Sequence, residues 1–319
     1  MPSLFDSRLL ATRDLDAAAR LFTESYPHRG HEPAWWQRSA PREQARRWGI
    51  FDEADSPQQP AEHLIGYAAL WNVVGRKFRF DIIVSPEHRR RGHGNHLFEV
   101  IRREATEMGA ETLQARAYAM ATESLAFLAR RRFVETMRMR GFVLPLLGID
   151  VDSIMAAANS CSAPDVSIVA VSRSQYTNSK FWNRLAEAHD ASREGWPDPD
   201  PGGPPMPTDP TTLRRMLMPS PASAIAFFVA LRGDRLLGYS LLGGRRDTGE
   251  AQFASTAVRP AMRGQKIATA MRARCVLTAR EAGFSAVRSA SGNAALIRIN
   301  VRFGFQDTYS EVRLVRRRD

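Results

Sequence analysis

The sequence predicts a mixed α/β chain built from two copies of one folding unit. Three observations carry that expectation: a repeat at a fixed offset, helical and strand periodicities alternating in the same order within each repeat, and in each copy a strand that feeds directly into a long helix. Val84-Ser-Pro86-Glu-His-Arg89 is matched by Val258-Arg-Pro260-Ala-Met-Arg263, so Val, Pro and Arg recur 174 residues later. The same offset takes Ala105 to Ala279, Glu107 to Glu281 and Gly109 to Gly283. Upstream, Leu64-Ile65-Gly66-Tyr67 is answered by Leu236-Leu237-Gly238-Tyr239 at an offset of 172. Matches in one register with a second matched block before them imply a tandem duplication. The expected division is a first domain over 1–150, a linker over 151–165 that holds at most one short helix, and a second domain over 166–319.

Within the first copy, Asp14 is expected to N-cap a helix over Leu15 to Tyr26, and residues 31–48, rich in Trp and Arg, to form a second helix. A strand around His63 to Trp71, a turn at Gly75 and a strand from Phe78 to Val84 follow, the last with the β-branched run Ile82-Ile83-Val84. After Pro86 the spacing of Leu97, Val100, Ile101, Ala105 and Met108 is helical, with Gly109 as the stop. Leu113 to Ala117 reads as a short strand, Thr122 or Glu123 opens a helix through Arg131, and Gly141 to Leu147 closes with a strand.

The second copy repeats the order. Val166 to Val171, Ile225 to Arg232, Arg235 to Leu242, Gln252 to Val258 and Ala286 to Ser289 read as strands. Phe181 to Arg193, Ile267 to Ala282 and Ala294 to Arg302 read as helices. The proline-dense stretch Trp196 to Pro207 is incompatible with regular structure and is either a solvated excursion or a lid over a substrate cleft.

Composition excludes several function classes. With 319 residues, 44% hydrophobic and 25% charged, the chain is neither wholly disordered nor fibrous. No run approaches the roughly 20 apolar residues of a membrane span. The N-terminus carries a carboxylate and polar groups where a signal peptide needs an apolar core, so a cytoplasmic location is expected. Two cysteines, Cys161 and Cys275, with no CxxC or CxxH nearby, argue for reduced thiols and no metal site. The formal net charge of +11 invites a nucleic-acid reading. Nearly all of the basic residues are arginine, with lysine only at 77, 180 and 266; that enrichment serves solubility as readily, and no nucleic-acid partner is expected.

The sharpest local signal is Val84-Ser-Pro-Glu-His-Arg89-Arg90-Arg91-Gly92-His93-Gly94-Asn95. A helix N-terminus exposes unpaired N–H groups and partial positive charge, so each cation there is unfavourable by ~0.3 to 1 kcal/mol. Three arginines directly before a helix have the wrong sign unless an anion joins them. Gly92 and Gly94 let the backbone bring several N–H groups close to an oxyanion, and a pyrophosphate fits that description. The alternative is a glycine-bearing connection with solvated arginines.

The pattern Arg89-x-x-Gly92-x-Gly94 after a Val-x-Pro strand end resembles the acyl-CoA-binding motif of the GNAT N-acetyltransferase superfamily. Thr256 to Ala268 is similar to the same motif in altered form. Asn293 to Phe305, with its Asn…Gly-Phe ending, resembles the family's final helix, and Ser124 to Phe133 is the weaker counterpart in the first copy. The resemblance covers nearly the whole chain. It implies two tandem GNAT (acyl-CoA N-acyltransferase) domains, each an α/β unit on a mixed sheet.

It also implies roles. Ile82, Ile83 and Val84 would splay from the neighbouring strand and free backbone groups for the pantetheine arm and the acyl carbonyl. Arg89, Arg90, Arg91, Gly92, His93, Gly94 and Asn95 would hold the pyrophosphate. Ala257, Val258, Arg263, Gly264, Gln265, Lys266, Ile267 and Ala268 would take those places in a second, weaker site. Lys266 stands where that copy should carry its first glycine; it either weakens CoA binding or supplies a compensating charge. The implied activity is acetyl-CoA-dependent N-acetylation of a small-molecule amine, of the kind found in antibiotic biosynthesis, with acetyl-CoA or another acyl-CoA as donor and a monomer or homodimer as the assembly.

Catalytic candidates follow from the chemistry: a group to take the amine's proton, and one to protonate the departing thiolate. The family's acid, a tyrosine on the last helix, is replaced by Leu128 and Asn300 in the two copies. Asp81 and Glu250 are candidate bases, each alternatively an ion-paired or solvent-facing strand residue. Tyr118 either faces the thioester or is a half-buried aromatic. Trp35, Trp36 and Trp48 either line an acceptor pocket or pack in the core. A non-catalytic acyl-CoA-binding scaffold or sensor is the competing reading.

Overall fold

The computed structural model describes residues 7–25, 45–52, 64–196, 208–218, 223–245 and 248–317. Trp35, Trp36 and the proline-dense segment 197–207 lie outside these. The chain forms two compact units, Met1–Thr136 with Val312–Asp319, and Met137–Glu311.

The first unit runs β1 (Ser7–Leu9), α1 (Leu15–Ser25), β2 (Arg46–Phe51), β3 (Leu64–Val74), β4 (Lys77–Val84), α2 (His93–Glu107), β5 (Thr112–Tyr118) and α3 (Thr122–Ala129). Strands β1 to β5 lie side by side in chain order, antiparallel except for β4 and β5, which are parallel. Side chains alternate across a strand, and the packing follows that alternation. Phe78 and Phe80, with Ile82 and Val84 behind them, pack with α2 residues Leu97, Phe98 and Ile101 on one face. Ile83 packs with α1 residues Ala18, Leu21 and Phe22 on the other. Helix α2 buries residues 97, 98, 100, 101 and 105 at helical spacing and ends where Gly109, at φ 72°, donates to Thr106 O (3.0 Å).

Strand β6 (Val134–Pro145) leaves the first unit for the second. The second unit continues with α4 (Val151–Ala158), β7 (Ser167–Ala170), α5 (Ser179–Ala191), α6 (Pro210–Leu217), β8 (Ala224–Arg232), β9 (Arg235–Arg245), β10 (Glu250–Val258), α7 (Ile267–Glu281), β11 (Ala286–Ser291), α8 (Ala294–Arg302) and β12 (Gln306–Arg317). Its strand order is β6-β11-β10-β9-β8-β7, again with one parallel pair, β10 and β11. The last residues of β12 return to the first unit, where Val312 and Leu314 complete the core.

The duplication is visible in the backbone. Helices α2 and α7 each hold 15 residues, 174 positions apart, and each is preceded by a 3-10 turn opening at Pro86 or Pro260. The final helices and strands are 172 apart.

Three expectations are corrected. Asp14 does not cap α1: it is fully buried in the preceding turn, and its carboxylate accepts from Ala11 N (2.8 Å) and from both terminal nitrogens of Arg8 (2.6 and 2.9 Å). Residues 46–48, expected at the end of a helix, begin β2, and Trp48 packs in the core. The strand expected from Gly141 begins at Val134. The short helix allowed for within 151–165 is α4 over residues 151–158, capped by Asp150 onto Ser153 N (3.0 Å), with Ile154, Ala157 and Ala158 buried against α7 residues such as Val276.

Candidate active site

The turn between β4 and α2 is set by two left-handed residues, Arg90 (φ 63°) and Gly92 (φ 97°). Arg89 is anchored by a single bond, its Nε donating to Val84 O (3.1 Å), and among the described residues its terminal nitrogens meet no partner. Arg89, Arg90, Gly92, Gly94 and Asn95 all lie on the wall of a cavity of about 930 Å³. Arg91 is exposed and off that wall, and His93 is buried at the first position of α2. Burial, with the charges of His88 and Arg91 next to it, lowers the His93 pKa, which favours the neutral imidazole.

The cavity exists because the strands part. The parallel β4–β5 ladder ends at Arg79↔Gln114, while β4 continues to Val84 and β5 to Tyr118. The edge of Phe80 to Val84 that faces β5 therefore has no ladder partner among the described residues, which leaves its backbone groups available to a ligand. On the α2 face the gap is walled by the apolar side chains Ile82, Phe98, Ala115, Phe127 and Leu128, with Glu99 and Arg102 of α2 also lining the cavity. Arg131 lies across the ring of Phe127 (3.5 Å to the centroid), donates to Phe127 O (2.8 Å) and bonds Asn95 Oδ1, which fixes a guanidinium beside the turn.

The opposite mouth is polar. By strand alternation Asp81, Arg116 and Tyr118 point to the α1 face, and Arg116 lies 6.0 Å from the Phe22 ring of α1. All three line the same cavity, as do Ile82, Ile83 and Val84. Asp81, 6% exposed, accepts from Arg116 Nε (3.0 Å) and Nη2 (2.7 Å) as a bidentate pair. The first copy thus brings Asp81, Ile82, Ile83, Val84, Tyr118, Arg89, Arg90, Gly92, Gly94 and Asn95 around one cavity, while Arg91 and His93 stay off its wall.

Glu250 lies elsewhere. It opens β10, eight residues before Val258 and so about 26 Å from the second turn at strand rise, and it is bound bidentately by Arg288 (2.6 and 2.8 Å). In that turn Gly264 (φ 80°) and Lys266 (φ 57°) take the two left-handed places. Arg263 donates to Val258 O (3.3 Å), Ser192 O (2.9 Å) and Glu194 O (2.7 Å), and Gln265 O accepts from Ser162 N (3.2 Å). Ala257, Val258 and Ile267 are buried and Ala268 is half-buried.

Sequence reasoning missed Arg116, Arg131, Phe98 and Phe127. Arg116 was findable as a basic residue in a strand facing a buried acid; Arg131 and the two phenylalanines read as ordinary helix residues.

The sequence profile of the acetyltransferase (GNAT) family matches residues 15–132 and 185–305. Among solved structures, a GCN5-related N-acetyltransferase from Sphaerobacter thermophilus is similar at 16% identity and TM-score 0.71, over 99% of this chain and 96% of that one. A tandem GNAT protein from the clavulanic acid biosynthesis pathway aligns at 17% identity and TM-score 0.71, over 98% of both. A putative acetyltransferase from Pyrococcus horikoshii aligns at 12% identity and TM-score 0.60, over 100% of this chain and 92% of that one. No curated protein matches. At these identities the likenesses establish the fold, whereas the profile matches, one per repeat and together spanning most of the sequence, establish descent: the chain belongs to the acetyltransferase (GNAT) family and carries its unit twice.

Proposed function

We propose that the chain is an acetyl-CoA-dependent N-acetyltransferase of a small-molecule amine, with the first unit as its cofactor site. One observation carries this reading: a single cavity joins the arginine- and glycine-bearing turn, the apolar gap between parted strands, and the polar mouth at Asp81, Arg116 and Tyr118.

Residues present fit an acyl-CoA in three parts. Arg89 and Arg90, with the N–H groups around Gly92 and Gly94, suit a pyrophosphate. Ile82, Phe98, Phe127 and Leu128 suit a pantetheine arm, with the open edge of β4 to pair its amides. Acetyl-CoA supplies an activated acyl carbonyl. Backbone donors on β4 polarise that carbonyl, and water is displaced by the apolar walls. At the α1 mouth Asp81, held in one orientation by Arg116, positions the amine and receives its proton directly or through one water. Tyr118, on the same cavity wall, is the proposed acid for the departing thiolate.

Leu128, standing where the family's tyrosine acid would be, favours the competing reading of a cofactor-binding protein without turnover. Thiol release measured over a panel of amines decides between them. Amine-dependent release that disappears in Gly92→Asp supports catalysis in the first unit. CoA binding with no release from any amine would sink it.

A further inference from the structure

Four side chains that wall the groove of the first unit, Ile82, Phe98, Ala115 and Leu128, are apolar. Their repeat equivalents are Thr256, Arg272 and Ser289 at an offset of 174 and Asn300 at 172. All four are polar, and they bond to one another. Arg272 Nη1 donates to Thr256 Oγ1 (3.2 Å), and Nη2 donates to Ser289 Oγ (3.1 Å) and Asn300 Oδ1 (2.6 Å). Asn300 Nδ2 closes the ring by donating to Ser289 Oγ (3.2 Å). The guanidinium lies 3.6 Å from the centroid of Phe253. Phe253 stands opposite Leu242 as Phe80 stands opposite Leu70, the one-residue difference in offset being absorbed by a bulge between Phe253 and Ser255.

The parting of strands is conserved between the copies, since the β10–β11 ladder ends at Gln252↔Arg288. What differs is what fills the gap. Arg272 is 2% exposed and has no carboxylate partner among the described residues; burial lowers its pKa only to about 10, so it stays charged at neutral pH. An unpaired buried cation is costly, and this one is held by three side chains that the active copy does not possess. A single polar replacement in that wall would be a defect; four that bond to one another form a built network, in which Arg272 Nε is the one buried atom with no partner among the described residues. Independently, Arg263 spends its donors on Val258, Ser192 and Glu194 carbonyls, whereas its counterpart Arg89 spends one.

We propose that the second unit is sealed against acyl-CoA, with the Arg272–Thr256–Ser289–Asn300 network bridging the parted strands where a pantetheine arm would lie, so that the chain binds one acyl-CoA. The proposal rests on the first unit's cavity being the cofactor site. Equilibrium dialysis of CoA against the full chain tests it. The wild type binds one CoA per chain, and Gly92→Asp binds none. In that background the five substitutions Arg272→Phe, Thr256→Ile, Ser289→Ala, Asn300→Leu and Lys266→Gly restore saturable binding, weaker than wild type because Arg263 is still engaged. Two CoA per chain in the wild type, or CoA retained by Gly92→Asp, would overturn the seal. So would a five-substitution variant that is folded by circular dichroism and binds nothing. If the wild type binds no CoA, the reading of the first unit falls, and recovery in the five-substitution variant still decides this one.

Discussion

Lys266 and Gly92 occupy the same place in the two turns and share the same left-handed backbone, at φ 57° and 97°. The pair of left-handed positions is thus retained in both copies while glycine has changed sides: Arg then Gly in the first turn, Gly then Lys in the second. The conformation is dictated by the strand-to-helix turn, and the residue that bears its strain differs.

Lys266→Gly is therefore expected to stabilise the protein. Removing a non-glycine residue from this region relieves about 1 to 2 kcal/mol, of which glycine's extra unfolded-state entropy returns roughly half. The urea midpoint should rise by the equivalent of about 0.5 to 1 kcal/mol. Gly92→Ala, the reverse change, should lower it by about 1 to 3 kcal/mol.

The Asp81–Arg116 pair is the second test. Both side chains are largely buried, 4% and 15% exposed, so removing one partner strands the other. Asp81→Asn should cost about 3 kcal/mol. Replacing both with apolar residues, Asp81→Leu with Arg116→Met, should recover most of that loss in urea denaturation. Under the proposed function activity should stay lost in the double variant, because the carboxylate proposed to position the amine is gone; activity returning with stability would reduce the pair to a structural role.

How much of this was legible in the sequence depends on how local the signal is. The turn and its helix were readable because proline, arginine and spaced glycines fall within twelve residues, and each has a steric or electrostatic reason to be there. Strand β2 was not readable. Its residues 47–50 are all buried in succession, which erases the period-two alternation that marks a strand, and its Trp and Arg suited a helix equally well. Strand β12, missed entirely, carries five charged residues in its twelve, Glu311 among them buried, and is stabilised by pairing with distant segments. The network around Arg272 required two different offsets to be applied at once, 174 for α7 and β11 and 172 for α8; a deletion between the elements hides it from any single register.

Arg89 gives a third prediction. It lines the cavity, and among the described residues its terminal nitrogens meet no partner, so a bound pyrophosphate gains charge-assisted hydrogen bonds worth about 1.5 to 3 kcal/mol. Arg89→Ala should weaken CoA binding by about tenfold or more in calorimetry. The loss should shrink as ionic strength rises, since an exposed guanidinium is screened. Equal loss at all salt concentrations would assign the effect to the Nε anchor on Val84 O instead.

His189 makes stability depend on pH. On α5 it sits against the Trp196 ring (5.1 Å between centroids), and its Nδ1 lies 2.7 Å from Tyr239 Oη, which is itself 3.1 Å from Ser255 Oγ. Burial lowers its pKa below the ordinary 6.5, with Asp190 opposing and Arg193 reinforcing the shift. The unfolded chain therefore binds the proton more readily than the folded one. Stability from this group is complete above pH 6.5 and is lost as pH falls from 6.5 through the lower folded value. His93, lowered by burial in the first unit, acts in the same window and with the same sign. The urea midpoint should be flat above about pH 7 and decline below 6.5. His189→Gln, which keeps a hydrogen-bonding group for Tyr239, should remove part of that decline, and adding His93→Gln should remove most of the rest; a decline unaltered by both would assign it to other groups.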